Sequence, residues 1–214
     1  MSEKLNYVYS KSEEKFNVLT HGFGLLASCI AFPFLVYKSF SFTGFWKPVS
    51  LIIFGLSLLI LYAASTFYHA EKDPKRRRKL NIFDHAAIYV LIAGTYTPFM
   101  LISLEGKTGT MVCLFTWIFA LIGIVLKFFF TGKYDILSTI LYVLMGWQAL
   151  FVFNPLKENL SQQGVEFLFV GGVFYTIGAV LYAIKKIPYN HAIFHFFVLL
   201  GSFSHFIAVY YYIK

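Results

Sequence analysis

Two of the chain's six histidines, His191 and His195, are four positions apart. On an α-helix that spacing stacks both imidazoles on one face and aims two ring nitrogens at one point in space. This is half of a metal site, although two such histidines are equally at home hydrogen-bonded to neighbouring helices. Ser65 and His69 repeat the i, i+4 spacing earlier in the chain, and Asp84 follows after a basic stretch. An aspartate at the start of an apolar segment is costly unless it is paired or faces a polar cavity, so it is a functional-site candidate by default. A carboxylate there also suits the N-terminal cap of a helix, and the two roles are compatible.

Three neutral imidazoles with an open fourth position make the donor set of a catalytic zinc centre, where the metal lowers the pKa of a bound water to roughly 7. His69, His191 and His195 are the expected Zn2+ ligands. Asp84 is then the expected general base, holding the water and passing its proton to the leaving group. Ser65, one turn before His69, is placed to donate a hydrogen bond to the oxyanion of an attacked carbonyl. A nucleophilic Ser65 ranks second, because no base other than Asp84 is offered to it. Imidazole also suits iron, nickel and copper, so the donor type alone does not single out zinc. His205 lies 14 residues beyond His191, roughly 21 Å along a helix at 1.5 Å per residue, too far to share the metal. It is expected to hydrogen-bond across helices or to line a cavity.

These residues are positioned by membrane-spanning elements. Of the 214 residues 58% are hydrophobic and only 13% charged, with a mean hydropathy of +0.69, a balance that excludes an ordinary soluble domain. Seven apolar stretches, 17–37, 48–69, 84–103, 111–130, 136–153, 166–184 and 191–213, each approach the roughly 20 residues that cross a hydrocarbon core. The expected fold is an all-α, polytopic seven-helix transmembrane bundle. Residues 1–16 form a short polar N-terminal segment and 17–214 a single transmembrane domain. The first stretch is too long, and its flank too acidic, for a cleaved signal peptide.

In such a chain odd spans begin, and even spans end, on the side of the N-terminus. The end of span 2 and the starts of spans 3 and 7 therefore share one leaflet, which brings Ser65, His69, Asp84, His191 and His195 to a common depth. That same side carries Lys4, Lys11, Lys15, Lys72, the run from Lys75 to Lys79, Lys127, Lys133, Lys185 and Lys186. Only Lys38, Lys47, Lys107, Lys157 and Lys214 fall on the other. The asymmetry predicts a cytoplasmic N-terminus and an outside C-terminus in a multi-pass plasma-membrane protein. It also assigns the net charge of +8 to topology and anionic headgroups rather than to nucleic acid.

Other polar residues have blander readings. Ser10 or Ser12 is expected to cap a helix leading into span 1, beside Glu13 and Glu14. Asn17 and His21, one turn apart, are expected to be structural more readily than part of a site. Pro98 must kink or end regular hydrogen bonding, with Thr95 and Thr97 available to freed backbone groups. Gln148 is the buried polar candidate of span 5, Asp135 reads as a cap ion-paired to Lys133, and Cys29 and Cys113 read as core fillers without disulfide or metal roles.

Taken together, Glu14, Asn17, Thr20-His21-Gly22, Ser65-xxx-His69, Asp84, the stretch 94–99, and His191-xxx-His195 with Gly201 to His205 resemble the bacterial hemolysin III proteins. These belong to the progestin and adipoQ receptor family, in the wider group that includes alkaline ceramidases. The resemblance covers essentially the whole chain. It implies a seven-helix bundle with an intramembrane zinc ion near the cytoplasmic face. The histidines matching His69, His191 and His195 would hold that ion, the aspartate matching Asp84 would contact zinc-bound water, and the serine matching Ser65 would lie beside it. Several eukaryotic members hydrolyse the amide of ceramide-like lipids, others are receptors, and the bacterial branch is named for a hemolytic activity. The leading expectation is a zinc-dependent hydrolase of amide or ester bonds in membrane lipids. A cytolytic protein and a membrane-homeostasis sensor with structural zinc are the alternatives.

Overall fold

The first span reverses the usual amphipathic sense. Phe16, Leu19, Phe23, Leu26, Ile30 and Phe34 recur at three- and four-residue spacing and are all exposed, whereas the buried stripe reads Glu14, Asn17, His21, Gly24, Ser28. A helix that is apolar outside and polar inside is stable in lipid and has no reason to be in water. The fourth span repeats the pattern, with Leu114, Ile118, Leu121 and Val125 outward and Cys113, Thr116, Ala120 and Gly123 inward.

The computed structural model describes residues 9–214; Lys4 and the start of the polar segment lie outside them. Among the described residues seven helices are long and apolar enough to cross a membrane: α1 (Lys11–Ser39), α2 (Trp46–Ala70), α3 (Pro74–Ser103), α4 (Lys107–Phe130), α5 (Asp135–Asn159), α6 (Gln162–Ala183) and α7 (Asn190–Tyr212). The helix α1 packs between α2 and α7, α3 packs on α2 and α4, and α5 closes the bundle between α3 and α6. At the far end of α1, Lys38 Nζ donates to the carbonyls of Tyr210 and Ile213, satisfying the last turn of α7. The two helices thus run parallel, as the alternating topology requires.

Several boundaries and roles differ from the sequence reading. Ser10 caps α1 as expected, accepting from Glu13 N at 3.1 Å, but the capped turns and the span form one continuous helix from Lys11. Asp73 caps α3, accepting from Arg76 N at 2.9 Å, with Pro74 at the first helical position. The basic run therefore occupies the first turns of α3 and is not a loop. Cys113 is buried as expected, but Cys29 is exposed on the outer face of α1 and fills no core. Asp135 is the first residue of α5 and no side-chain cap forms there; its Oδ1 is buried without a hydrogen-bond partner and no ion pair joins it to Lys133.

Two irregular stretches shape the interior. After Pro98 the helix widens into a π turn over Phe99–Ser103, with Thr97 Oγ1 bonded to Ala93 O at 2.7 Å. In α5 the helix breaks after Gly146 into a 3-10 stretch, Gln148–Val152, before the short helix Phe153–Asn159. Broken backbone at membrane depth must be satisfied within the protein. Tyr96 does this, donating to Gly146 O and accepting from Ala149 N, each at 2.7 Å. Gln148 donates to Thr116 Oγ1 of α4 at 2.7 Å.

The π turn leaves no room beside it. A Cβ added to Gly109 would lie 1.9 Å from Leu104 O and 2.1 Å from Met100 O, both main-chain atoms that cannot rotate away. Gly109→Ala is expected to destabilise the bundle by about 1–3 kcal/mol, read as a lowered Tm in detergent; an unchanged Tm would contradict this packing.

Candidate metal centre

The end of α2 and the start of α7 meet at the side of the bundle where α1 begins. There one ring nitrogen from each of His69, His191 and His195 lies within 4.8 Å of the others, and all three side chains are buried. His69 Nε2 and His191 Nε2 face each other at 3.1 Å. Two imidazoles on a tetrahedral zinc, each about 2.0–2.1 Å from the metal, have nitrogens about 3.3 Å apart. The pair already sits at nearly that separation. The centroids of His191 and His195 are 4.4 Å apart, and each ring lies 5.0 Å from that of His69. The i, i+4 histidines thus converge with the third across a helix interface, and the donor set can hold a metal ion.

Hydrogen bonds fix which nitrogens face inward. Glu14 Oε2 accepts from His69 Nδ1 at 2.6 Å, which leaves the Nε2 lone pair pointing at the centre. Asn17 Nδ2 lies 3.4 Å from the same nitrogen, whose proton is committed to Glu14. Tyr9 Oη lies 3.0 Å from His191 Nδ1, with its ring stacked on the imidazole at 4.6 Å. Burial, reinforced by the neighbouring Tyr182 and Tyr68, pushes the Tyr9 phenol far above its ordinary range, so it remains protonated. Thr20 Oγ1 stands 3.4 Å from His195 Nδ1. His21 stacks on the His195 ring at 3.5 Å, with neither of its own nitrogens hydrogen-bonded.

Asp84 is buried and lies outside the set of three, with its Oδ2 3.7 Å from His85 Nδ1. It shares with His191, His195 and His21 the wall of a cavity of about 130 Å³. From this polar end the cavity is lined by Leu91, Ile92, Val143, Phe194 and Val198, and it reaches Trp147 at the α5 break and His205. His205 Nε2 donates to Leu168 O of α6 at 3.0 Å, the cross-helix bond anticipated for it. Ser65 is fully buried one turn before His69, and its Oγ has no hydrogen-bond partner. Orphaned buried polar atoms are rare. Those of His21, Asn17 and Ser65 lie beside three converging imidazoles, which fits a site that takes a metal and its coordinated water.

The start of α1 contributes more to the site than its sequence suggests: Asn17 and His21, whose spacing alone favours structural roles, and Glu14 of the polar flank all lie against the histidines. The available signal was their 14, 17, 21 spacing, a polar stripe on a helix whose other faces suit lipid. Arg77, read as one of a basic run, is buried in an ion pair with Glu14 and donates to Tyr68 O and Glu71 O at 3.1 and 3.2 Å. Nothing in its sequence neighbourhood separates it from Arg76 and Arg78.

Fold and site together define a seven-helix integral membrane protein with a buried three-histidine centre. The chain belongs to the haemolysin-III related family, whose model matches residues 9–206. It is 44% identical over 205 residues to a protein named Hemolysin-3 homolog from Bacillus subtilis (strain 168), covering 96% of each chain. Identity to Hemolysin-3 of Bacillus cereus is 39% over 214 residues, or 100% of this chain and 98% of that one. The human Monocyte to macrophage differentiation factor is 26% identical over 207 residues, 94% of this chain and 84% of its own. No solved structure matches the chain significantly.

Proposed function

We propose that this protein is a zinc-dependent hydrolase of amide or ester bonds in membrane lipids. It would reside in the plasma membrane with its N-terminus cytoplasmic and its C-terminus outside, as the distribution of Lys and Arg favours. The observation that carries the reading is the shared wall: two of the three converging histidines and Asp84 line a cavity whose wall is otherwise mainly apolar. That combination suits a substrate with a polar, cleavable bond and a long hydrocarbon chain, admitted sideways between helices.

His69, His191 and His195 would hold the zinc. When bound, zinc supplies a Lewis acid that polarises a carbonyl and brings the pKa of water to about 7. Asp84 accepts the proton from the attacking water and returns it to the leaving nitrogen or oxygen. Ser65 donates its hydroxyl proton toward the carbonyl oxygen as negative charge develops there. The apolar wall excludes bulk water and strengthens each of these interactions.

Protein reconstituted in phosphatidylcholine vesicles is expected to release fatty acid from a fluorescent N-acyl sphingoid amide or the corresponding acyl ester, with activity abolished by chelation and restored by zinc. The names of the two Bacillus relatives favour a second, lytic reading. No release from either probe by zinc-loaded protein, with dye leakage persisting in a variant lacking all three histidines, would replace the hydrolase reading with that one.

A further inference from the structure

The three histidines come from α2 and α7, yet each Nδ1 is met by a group from one short stretch at the start of the chain. Tyr9 Oη lies 3.0 Å from His191 Nδ1, Glu14 Oε2 2.6 Å from His69 Nδ1, and Thr20 Oγ1 3.4 Å from His195 Nδ1. We infer that residues 9–20 are the orienting shell of the metal centre, with Glu14, Tyr9 and Thr20 as positioning residues that set the tautomer and aim of the three ligands. The inference rests on the metal-centre reading above and extends it to residues that touch no metal.

Each contact has the polarity this requires. A carboxylate can only accept, so Glu14 holds the His69 proton on Nδ1. Thr20 spends its own proton on the carbonyls of Phe16 and Asn17, at 2.7 and 3.1 Å, which leaves its lone pairs for a proton on His195 Nδ1. The Tyr9 oxygen has lone pairs for a proton on His191 Nδ1. In all three rings Nε2 is then the free donor, the arrangement that outer-shell carboxylates and hydroxyls impose on metal-ligating histidines.

The stretch is itself held in place. Arg77 of α3 pairs with Glu14 and stacks over Tyr68 at 4.5 Å, so the Glu14 carboxylate is fixed between a guanidinium and an imidazole. Ser12 Oγ lies 3.0 Å from Tyr189 Oη, Phe16 packs edge-on against the Tyr189 ring, and the backbone N–H of His191 reaches Glu13 Oε1 at 3.3 Å. These contacts tie the beginning of α1 to the loop before α7. Metal binding and docking of residues 9–20 should therefore be linked: each is tighter when the other is in place.

The test is a zinc titration of the full chain in detergent against a competing chelator, for native protein, Glu14→Gln, Tyr9→Phe, Thr20→Val and Thr20→Ser. Glu14→Gln is expected to weaken zinc binding about 10–100-fold, with stoichiometry regained at saturating metal. Tyr9→Phe and Thr20→Val should weaken it less, and Thr20→Ser should retain native affinity. The ligand-field bands of cobalt-loaded Glu14→Gln should shift from those of cobalt-loaded native protein, a change that a purely structural role would not produce. Hydrogen exchange over 9–20 should slow on adding zinc. Native affinity and an unshifted cobalt spectrum in the folded Glu14 and Tyr9 variants would overturn the inference while leaving the metal centre standing. A native chain that takes up no zinc would overturn the centre and the shell together.

Discussion

Asp84→Asn is expected to cut turnover of the acyl amide or ester probe by roughly 10²–10⁴-fold, the range that a positioned general base supplies, while zinc content stays at the native level. The substitution preserves size and most hydrogen bonding and removes only the ability to take a proton. Asp84 stands outside the three-ligand set, so a metal held by that set would not depend on it. It lines the same cavity as His191 and His195, and the proposed reaction requires a water held between them and its carboxylate. Michaelis analysis of fatty-acid release from vesicles checks this, read with metal content on the same preparation. An Asp84→Asn variant with native turnover would remove the carboxylate from the reaction. A variant that lost its metal would recast Asp84 as a ligand.

His69→Ala carries the second large effect, because His69 is the point at which α1, α2 and α7 meet. Its Nε2 faces His191, its Nδ1 holds Glu14, and its ring lies 5.0 Å from that of His195. Without it, two histidines on one helix remain, and of His69 and Arg77 Glu14 keeps only Arg77. If the three histidines hold zinc, native protein at zinc concentrations 1,000-fold above Kd would gain about 4 kcal/mol from the bound ion. Chelation is therefore expected to lower its Tm markedly. His69→Ala should start from the lower Tm and show no further fall on chelation. A chelator-sensitive Tm surviving in His69→Ala would place the metal elsewhere.

Much of this was legible in the sequence, for reasons that differ from residue to residue. The spans were readable because a hydrocarbon core forces some 20 apolar residues into one run, and seven such runs leave few alternatives. His191 and His195 were readable because a helix converts a spacing of four into one face. Placing His69 with them required only the alternation of topology. Helix starts were less legible: α1 and α3 begin in polar sequence, where Ser10 and Asp73 caps, and not hydropathy, decide the boundary. The outer shell was least legible. Glu14 sits beside Glu13 and Arg77 between Arg76 and Arg78, so composition gives each pair the same character. Only the direction of the side chain, inward in Glu14 and Arg77, separates them. The break in α5 left little trace either, because Tyr96 of another helix supplies the hydrogen bonds that the local sequence forgoes.

Metal content, measured by mass spectrometry on detergent-purified protein prepared without chelators, decides whether the three histidines hold an ion. About one zinc per chain is expected in the native protein, with its loss in the double variant His191→Ala/His195→Ala and its retention in Asp84→Ala. Native protein without stoichiometric metal would contradict that expectation, leaving the three imidazoles as polar packing between α2 and α7.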